Sequence, residues 1–172
     1  MHRVIIINTY LKMSHKTAGK CNEWYTPSYI FDSLGCNFDL DVASPIDKQF
    51  CNVPADLFIT EDSLNKKWNG FVWMNPPFGD QKNKFLWIDK FIEHGNGIAL
   101  MPDRTSTSWW QLFTKKADAV LFVDKKIKFI RADGVIGEKP STGTTLFAIG
   151  KLGVRALKNA EISGLGLMMY IK

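Results

Sequence analysis

The stretch Asn75-Pro76-Pro77-Phe78 has the residue types and order to do chemistry. The side-chain oxygen of Asn75 and the backbone oxygen of Pro76 are two acceptors, each able to take one hydrogen of an exocyclic NH2. Phe78 offers a flat face to the ring that carries the amine. An amine held by both hydrogens keeps its lone pair directed outward, toward an electrophile. Two consecutive prolines lack amide donors, fix φ near the ring value and push Asn75 out of the helical region, so the acceptors are presented rigidly. The bland alternative is a turn after a core strand, with Asn75 serving the turn alone.

Such a turn needs elements to deliver it. Phe71 to Met74 are four consecutive apolar residues between Asn69-Gly70 and the double proline, the pattern of a short buried strand with Asn75 at its carboxyl end. Thr26 is a candidate N-cap with Pro27 at the first helical position; Ile30, Phe31 and Leu34 share one face, and Gly35 ends the run. The first amides of that helix form an anion site suited to a carboxylate. Phe38 to Ser44 alternates apolar and acidic residues and then turns small, a strand running into a ligand loop with Asp41 at its end; taken alone, Asp41 reads as an ordinary loop acid. Asp62 is a candidate cap of a short helix.

Beyond the central turn, residues 79–84 are polar and basic, with Lys82 and Lys84, and lead into an apolar-faced helix over 85–94 stopped by Gly95. Gly97 to Met101 is the next strand. Arg104 follows its carboxyl end, as a phosphate contact or a surface ion pair. Ser108 and Gln111 have capping-box spacing for another helix, and Ala119 to Val123 is again a strand. Lys125, Lys126, Lys128 and Arg131 surround Ile127, Phe129 and Ile130 at the root of a Gly-rich loop, which can reach a groove of duplex DNA or stand as a solvated hairpin. Thr144 to Gly150 reads as the strand closing the sheet, and 151–172 as a tail with a turn at Gly164-Leu165-Gly166.

Composition bounds the rest. With 172 residues and 45% hydrophobic content the chain suits one domain. Its formal charge of +5 fits a polyanionic partner without requiring one. Cys21, Cys36 and Cys51 form no Cys-x-x-Cys pair, and His2, His15 and His94 have no ligand spacing, so a reducing cytoplasm and no metal are expected. Val4 to Ile7 is far too short for a membrane span.

In order along the chain, Glu23-x-x-Thr26-Pro27, Leu40-Asp41-Val42-Ala43, Asp62-Ser63-Leu64 and Asn75-Pro76-Pro77-Phe78 resemble the motifs of the phage-type, Dam-like DNA N6-adenine methyltransferases over about residues 22–149. The resemblance implies a Rossmann-like α/β methyltransferase fold, with a mostly parallel central sheet and helices on both faces. Its domains would be an N-terminal arm (1–21), a catalytic domain (22–150) and a C-terminal tail (151–172). It implies S-adenosyl-L-methionine as cofactor, held by Trp24, Thr26, Pro27, Asp41, Asp62 and Asn75. Asn75, Pro76, Pro77 and Phe78 would act on a flipped-out adenine. Lys82, Lys84, Arg104, Lys125, Lys126, Lys128 and Arg131 are the candidate contacts to double-stranded DNA. No metal or membrane is implied, a monomer is compatible, and the setting would be the cytoplasm of a bacterium carrying a phage or prophage, for protection against restriction or for regulation. The chain departs from broader methyltransferases in having no Gly-x-Gly after Asp41; the ribose-binding acid is not evident, with Asp47 and Asp56 as candidates. Two rivals stay open: a protein glutamine N5-methyltransferase, which uses the same acceptor pair, and a catalytically silent DNA-binding remnant of the fold.

Overall fold

A computed structural model describes residues 24–77, 81–138 and 140–171, so the N-terminal arm and Phe78 lie outside the described residues. The order of elements is β1 (Trp24–Tyr25), α1 (Ser28–Leu34), β2 (Phe38–Asp41), β3 (Ala55–Phe58), a 3-10 turn (Ser63–Asn65), β4 (Val72–Met74), α2 (Gln81–His94), β5 (Gly97–Pro102), α3 (Ser108–Lys116), β6 (Ala119–Val123), β7 (Ile130–Arg131), β8 (Thr144–Ile149), α4 (Lys151–Ile162) and β9 (Gly166–Tyr170). Seven strands form one sheet in the order β3-β2-β4-β5-β8-β6-β9, and β1 pairs with β7 in a separate two-stranded ribbon.

The sheet is mixed, where the resemblance implied a mostly parallel one with its last strands antiparallel at one edge. β2/β3, β2/β4 and β4/β5 pair parallel; β5/β8, β6/β8 and β6/β9 pair antiparallel. The reason is that β8 inserts between β5 and β6 rather than closing an edge, so one reversed strand makes two antiparallel pairings. β3 and β9 are the edge strands. The segment 151–172, read as a tail, carries α4 and β9. Its signal was weak because α4 mixes charged and apolar residues and opens without a side-chain cap.

Both faces of the sheet are covered. On one, α1 and α4 bury Ile30, Phe31, Leu34, Leu157 and Ala160 against Phe38, Trp73, Leu100, Leu121 and Leu146. On the other, α2 and α3 bury Trp87, Ile88, Phe91, Trp109 and Phe113 against Val72, Met74, Met101 and Phe147. β4 is buried on both sides, hence its unbroken apolar sequence.

Local boundaries differ from expectation in three places. Pro27, not Thr26, is the N-cap of α1, with extended backbone and no side-chain cap bond; Gly35 closes the helix in the left-handed region at φ 60. α2 begins at Gln81, so Lys82 and Lys84 stand on its first turn rather than in a loop. Thr107 caps α3 in place of Ser108, and the Gln111 side chain reaches back to the Thr105 carbonyl at 2.7 Å instead of completing a capping box. No described helix is long and apolar enough to cross a membrane.

Candidate active site

β2, β3, β4, β5 and β6 point the same way, so their carboxyl ends share one edge of the sheet with the amino end of β8. That edge is where an open α/β sheet binds ligands. It holds a cavity of about 630 Å³, within the range of small-molecule sites. Asn75, Pro76 and Pro77 line its middle. On the β2/β3 side the walls are Ser44, Ile46, Ile59, Thr60, Glu61 and Asp62; on the β5/β8 side they are Pro102, Ile127, Phe129, Ser141, Thr142 and Thr144. The strand order, not the sequence order, divides the cavity in this way.

Asn75 is fixed from one side. Its Nδ2 donates to Thr26 Oγ1 at 3.3 Å, across 49 residues of sequence, while its Oδ1 is buried with no partner among the described residues. Thr26 is itself pinned, since Asn52 Nδ2 donates to its carbonyl at 3.1 Å and the neighbouring Tyr25 hydroxyl donates to the Asp47 carbonyl at 2.5 Å. A buried acceptor left open costs free energy unless a ligand meets it. Asn75 Oδ1 is thus a buried acceptor without a described partner, on a residue that lines the cavity.

Asp41 sits beside this contact. It lines a small side pocket with Thr26, Asn75 and Cys51, and only 2% of it is exposed. Burial pushes its carboxyl up to about 7, against the opposing pull of the Ala43 amide, the Ser44 hydroxyl and the Lys48 charge. The Ala43 amide donates to its Oδ1 at 3.1 Å.

Above the cavity lies the β1/β7 ribbon, in which Trp24 pairs with Arg131. It brings Trp24 and Tyr25 against the basic hairpin, and Trp24 lines both the main cavity and the side pocket. Gly137 makes the close packing possible: a Cβ there would meet the Trp24 ring at 2.7 Å and the Phe129 carbonyl at 2.9 Å.

Residues 13–148 match the family model of DNA N-6-adenine-methyltransferase (Dam). The chain belongs to this family. It is similar to the DNA N-6-adenine-methyltransferase of Escherichia phage T1, with 26% identity over 161 residues, covering 87% of this chain and 63% of that protein. The chain thus spans less than two thirds of that relative's length. No solved structure matches it.

Among the residues singled out from sequence, Trp24, Thr26, Asp41 and Asn75 converge on the side pocket, and Asp62 joins Asn75, Pro76 and Pro77 in the main cavity. Asp62 precedes the 3-10 turn with φ 53, in the left-handed region, and its Oδ1 accepts from Asn65 Nδ2 at 2.6 Å. Pro27 lines neither space and acts on the backbone of α1. The basic residues stay outside the cavity but follow the carboxyl ends of β4, β5 and β6: Lys82 and Lys84 on α2, Arg104 after β5, Lys125, Lys126 and Lys128 after β6. Lys126 and Arg131 are engaged within the chain. Lys126 Nζ donates to the Ser141 carbonyl at 2.9 Å, and Arg131 pairs with Asp133 at 3.0 Å.

Sequence reasoning missed Glu61. The candidates Asp47 and Asp56 do not line the cavity; Asp47 Oδ1 accepts from the Gln49 amide, and Asp56 lies exposed on β3. Glu61, just past the end of β3, does line it. The signal was available in the apolar Leu57-Phe58-Ile59 run, which marks a strand whose end is Glu61's neighbour.

Proposed function

We propose that the chain is an S-adenosylmethionine-dependent DNA adenine-N6 methyltransferase, with residues 22–150 as catalytic domain completed by 151–172, acting on double-stranded DNA in the cytoplasm of a phage-bearing bacterium. The carrying observation is the buried, unpartnered Oδ1 of Asn75, a residue that lines a cavity on the ligand-binding edge of the sheet.

The donor set fits the cofactor. Trp24, Thr26 and Asp41 would take its amino-acid end, and Asp41 suits a cationic group because burial has left the carboxyl under-solvated. Glu61 and Asp62, beyond β3, supply acceptors for ribose hydroxyls and an adenine amine. When bound, S-adenosylmethionine supplies an electrophilic methyl: the N6 lone pair forms the N–C bond, the C–S bond breaks with its electrons kept on a neutral sulfur, and N6 then sheds a proton to water.

The protein's share is orientation. Asn75 Oδ1 and the Pro76 carbonyl accept the two N6 hydrogens, and accepting from a nitrogen that becomes more positive strengthens both bonds as the reaction proceeds. Extruding the base costs a few kcal/mol of stacking and pairing, offset by stacking on the apolar walls and by cationic side chains along the same edge of the sheet. Neither a nucleophilic side chain nor a strong base is called for.

The test is single-turnover transfer of labelled methyl to adenine-containing duplexes. Asn75→Asp, which keeps an oxygen at the position, should retain partial activity. Asn75→Ala should lose on the order of a hundredfold, about 3 kcal/mol of transition-state stabilisation. A folded Asn75→Ala protein working at the wild-type rate would remove Asn75 from the mechanism.

A further inference from the structure

Three buried side-chain polar atoms have no partner among the described residues, and two of them, Asn75 Oδ1 and Thr144 Oγ1, belong to residues that line the same cavity. Asn75 has its role above; Thr144 has none. It is the first residue of β8, opposite Pro102 at the end of β5, and 4% exposed. Its neighbour Thr145 points to the opposite face of the strand and is fully satisfied, donating to Asp103 Oδ1 at 2.6 Å. An open hydroxyl is therefore no general feature of this strand end. Valine has the same shape and an equal preference for strands, and it would leave nothing unpaired. The hydroxyl at 144 thus has room for a partner from beyond the described residues, and a ligand in the cavity is one.

Position says which partner. In the strand order β2-β4-β5-β8, Thr144 lies on the side of Asn75 away from Asp41, Glu61 and Asp62, so it faces the substrate half of the cavity. There Ile127, fully buried, and Phe129, half-buried, provide apolar walls suited to a flat ring. An acceptor (Asn75 Oδ1) and a hydroxyl donor (Thr144) on one cavity match the two adjacent functions on an adenine edge, an amine that donates and a ring nitrogen that accepts. Guanine presents an oxygen and, on its pairing edge, a ring N–H, the reverse polarity.

Building on the methyltransferase reading, we propose that Thr144 is a specificity-determining residue, its hydroxyl donating to N1 or N7, the ring nitrogens on either side of the amine of the extruded adenine. Asn75 grips the amine and Thr144 reads the ring beside it. A site built to hydrogen-bond a group rejects the analogue that lacks it far better than an apolar pocket rejects a wrong shape.

The experiment compares wild type, Thr144→Val and Thr144→Ser in single-turnover methyl transfer. The duplex carries the methylated sequence mapped from expressing cells, with the target as adenine, 1-deazaadenine or 7-deazaadenine opposite an abasic site, so that pairing strength does not vary. Thr144→Val should slow transfer to adenine ten- to a hundredfold, and Thr144→Ser should restore it to within about threefold. One of the two deaza bases should be slow with wild type by a similar factor and no slower with Thr144→Val, which identifies the nitrogen. Thr144→Val should keep cofactor affinity and melt no lower than wild type, because it removes an unsatisfied group; a purely structural threonine would show the opposite. Thr144→Val at the wild-type rate, or slowed equally on all three bases, overturns the proposal. If wild type transfers no methyl to adenine, the functional reading itself fails; activity with an indifferent Thr144 leaves that reading standing and discards this one alone.

Discussion

Asp41 shows how a single side chain can be costly to the fold and useful to the site. Its carboxyl, 3.8 when unperturbed, is pushed up to about 7 by burial, with the Ala43 amide, the Ser44 hydroxyl and Lys48 pulling the other way. A raised acid binds protons more tightly folded than unfolded. The stability it contributes is therefore full below pH 4 and is lost as pH rises through about 7, with ionisation costing on the order of 4 kcal/mol at higher pH. Asp41→Asn should flatten the fall in melting temperature between pH 4 and 7 and melt above wild type at pH 8, while binding S-adenosylmethionine more weakly. A cationic ligand that ionises Asp41 must also expel a proton, visible in calorimetry at pH 7 as a heat that varies with the buffer. A variant with the wild-type pH profile and cofactor affinity would take Asp41 out of the site. The placing of Asn75 and Asp41 at strand ends was legible because rigid turns and strand ends leave marks in residue order, whereas Asp41 was singled out only by the family resemblance. Thr144 was not legible, since an unpaired hydroxyl is a property of three-dimensional neighbours.

The basic element after β6 divides into two kinds of charge. Lys126 is tied to the Ser141 carbonyl at 2.9 Å and Arg131 to Asp133 at 3.0 Å, whereas Lys125 and Lys128 are exposed. Lys126 thus braces the loop that carries Ser141 and Thr142 into the cavity, and changing it would confuse DNA affinity with loop position. The cleaner test is Lys125→Ala with Lys128→Ala. If both meet phosphates, the slope of log K against log salt should become shallower by about 1.8, near 0.9 for each phosphate no longer neutralised, with cofactor affinity unchanged. An unaltered slope would move the DNA surface toward Lys82 and Arg104, which follow the neighbouring strands. Sequence located this charge cluster but not its division, because a lysine's partner can lie 15 residues away, as Ser141 does from Lys126. For the same reason the capping of α1 was misjudged by one residue: the Thr26 hydroxyl, apt as a cap, is occupied by Asn75 instead.

At the scale of the whole molecule, the mixed sheet makes a two-sided cavity out of one edge. Parallel strands β3, β2, β4 and β5 bring four carboxyl ends together, and the reversed β8 adds an amino end, so Glu61 and Thr144 face each other across Asn75. β2, β4, β5, β6 and β8 were readable from their apolar runs, whereas β1, β3, β7 and β9 were not, and neither was the insertion of β8 between β5 and β6, since no local pattern encodes which strand is a neighbour. That insertion also makes the last 22 residues structural. α4 and β9 bury Ala156, Leu157, Ala160, Leu165 and Met168 in the core shared with α1, and β9 pairs with β6 along Ala119 to Val123. Burying Leu157, Leu165 and Met168 contributes roughly 1.5–3 kcal/mol each. Their sum is comparable with the about 5–15 kcal/mol net stability of a domain this size. A chain ending at Gly150 should therefore fail to fold cooperatively, and the milder Leu157→Ala should lower stability by about 2–5 kcal/mol with the cavity residues unmoved. Urea titration of both proteins decides it: a truncated chain that unfolds with the wild-type midpoint and slope would make 151–172 a dispensable tail. A Leu157→Ala protein that loses methyl transfer without losing stability would instead tie α4 to the chemistry.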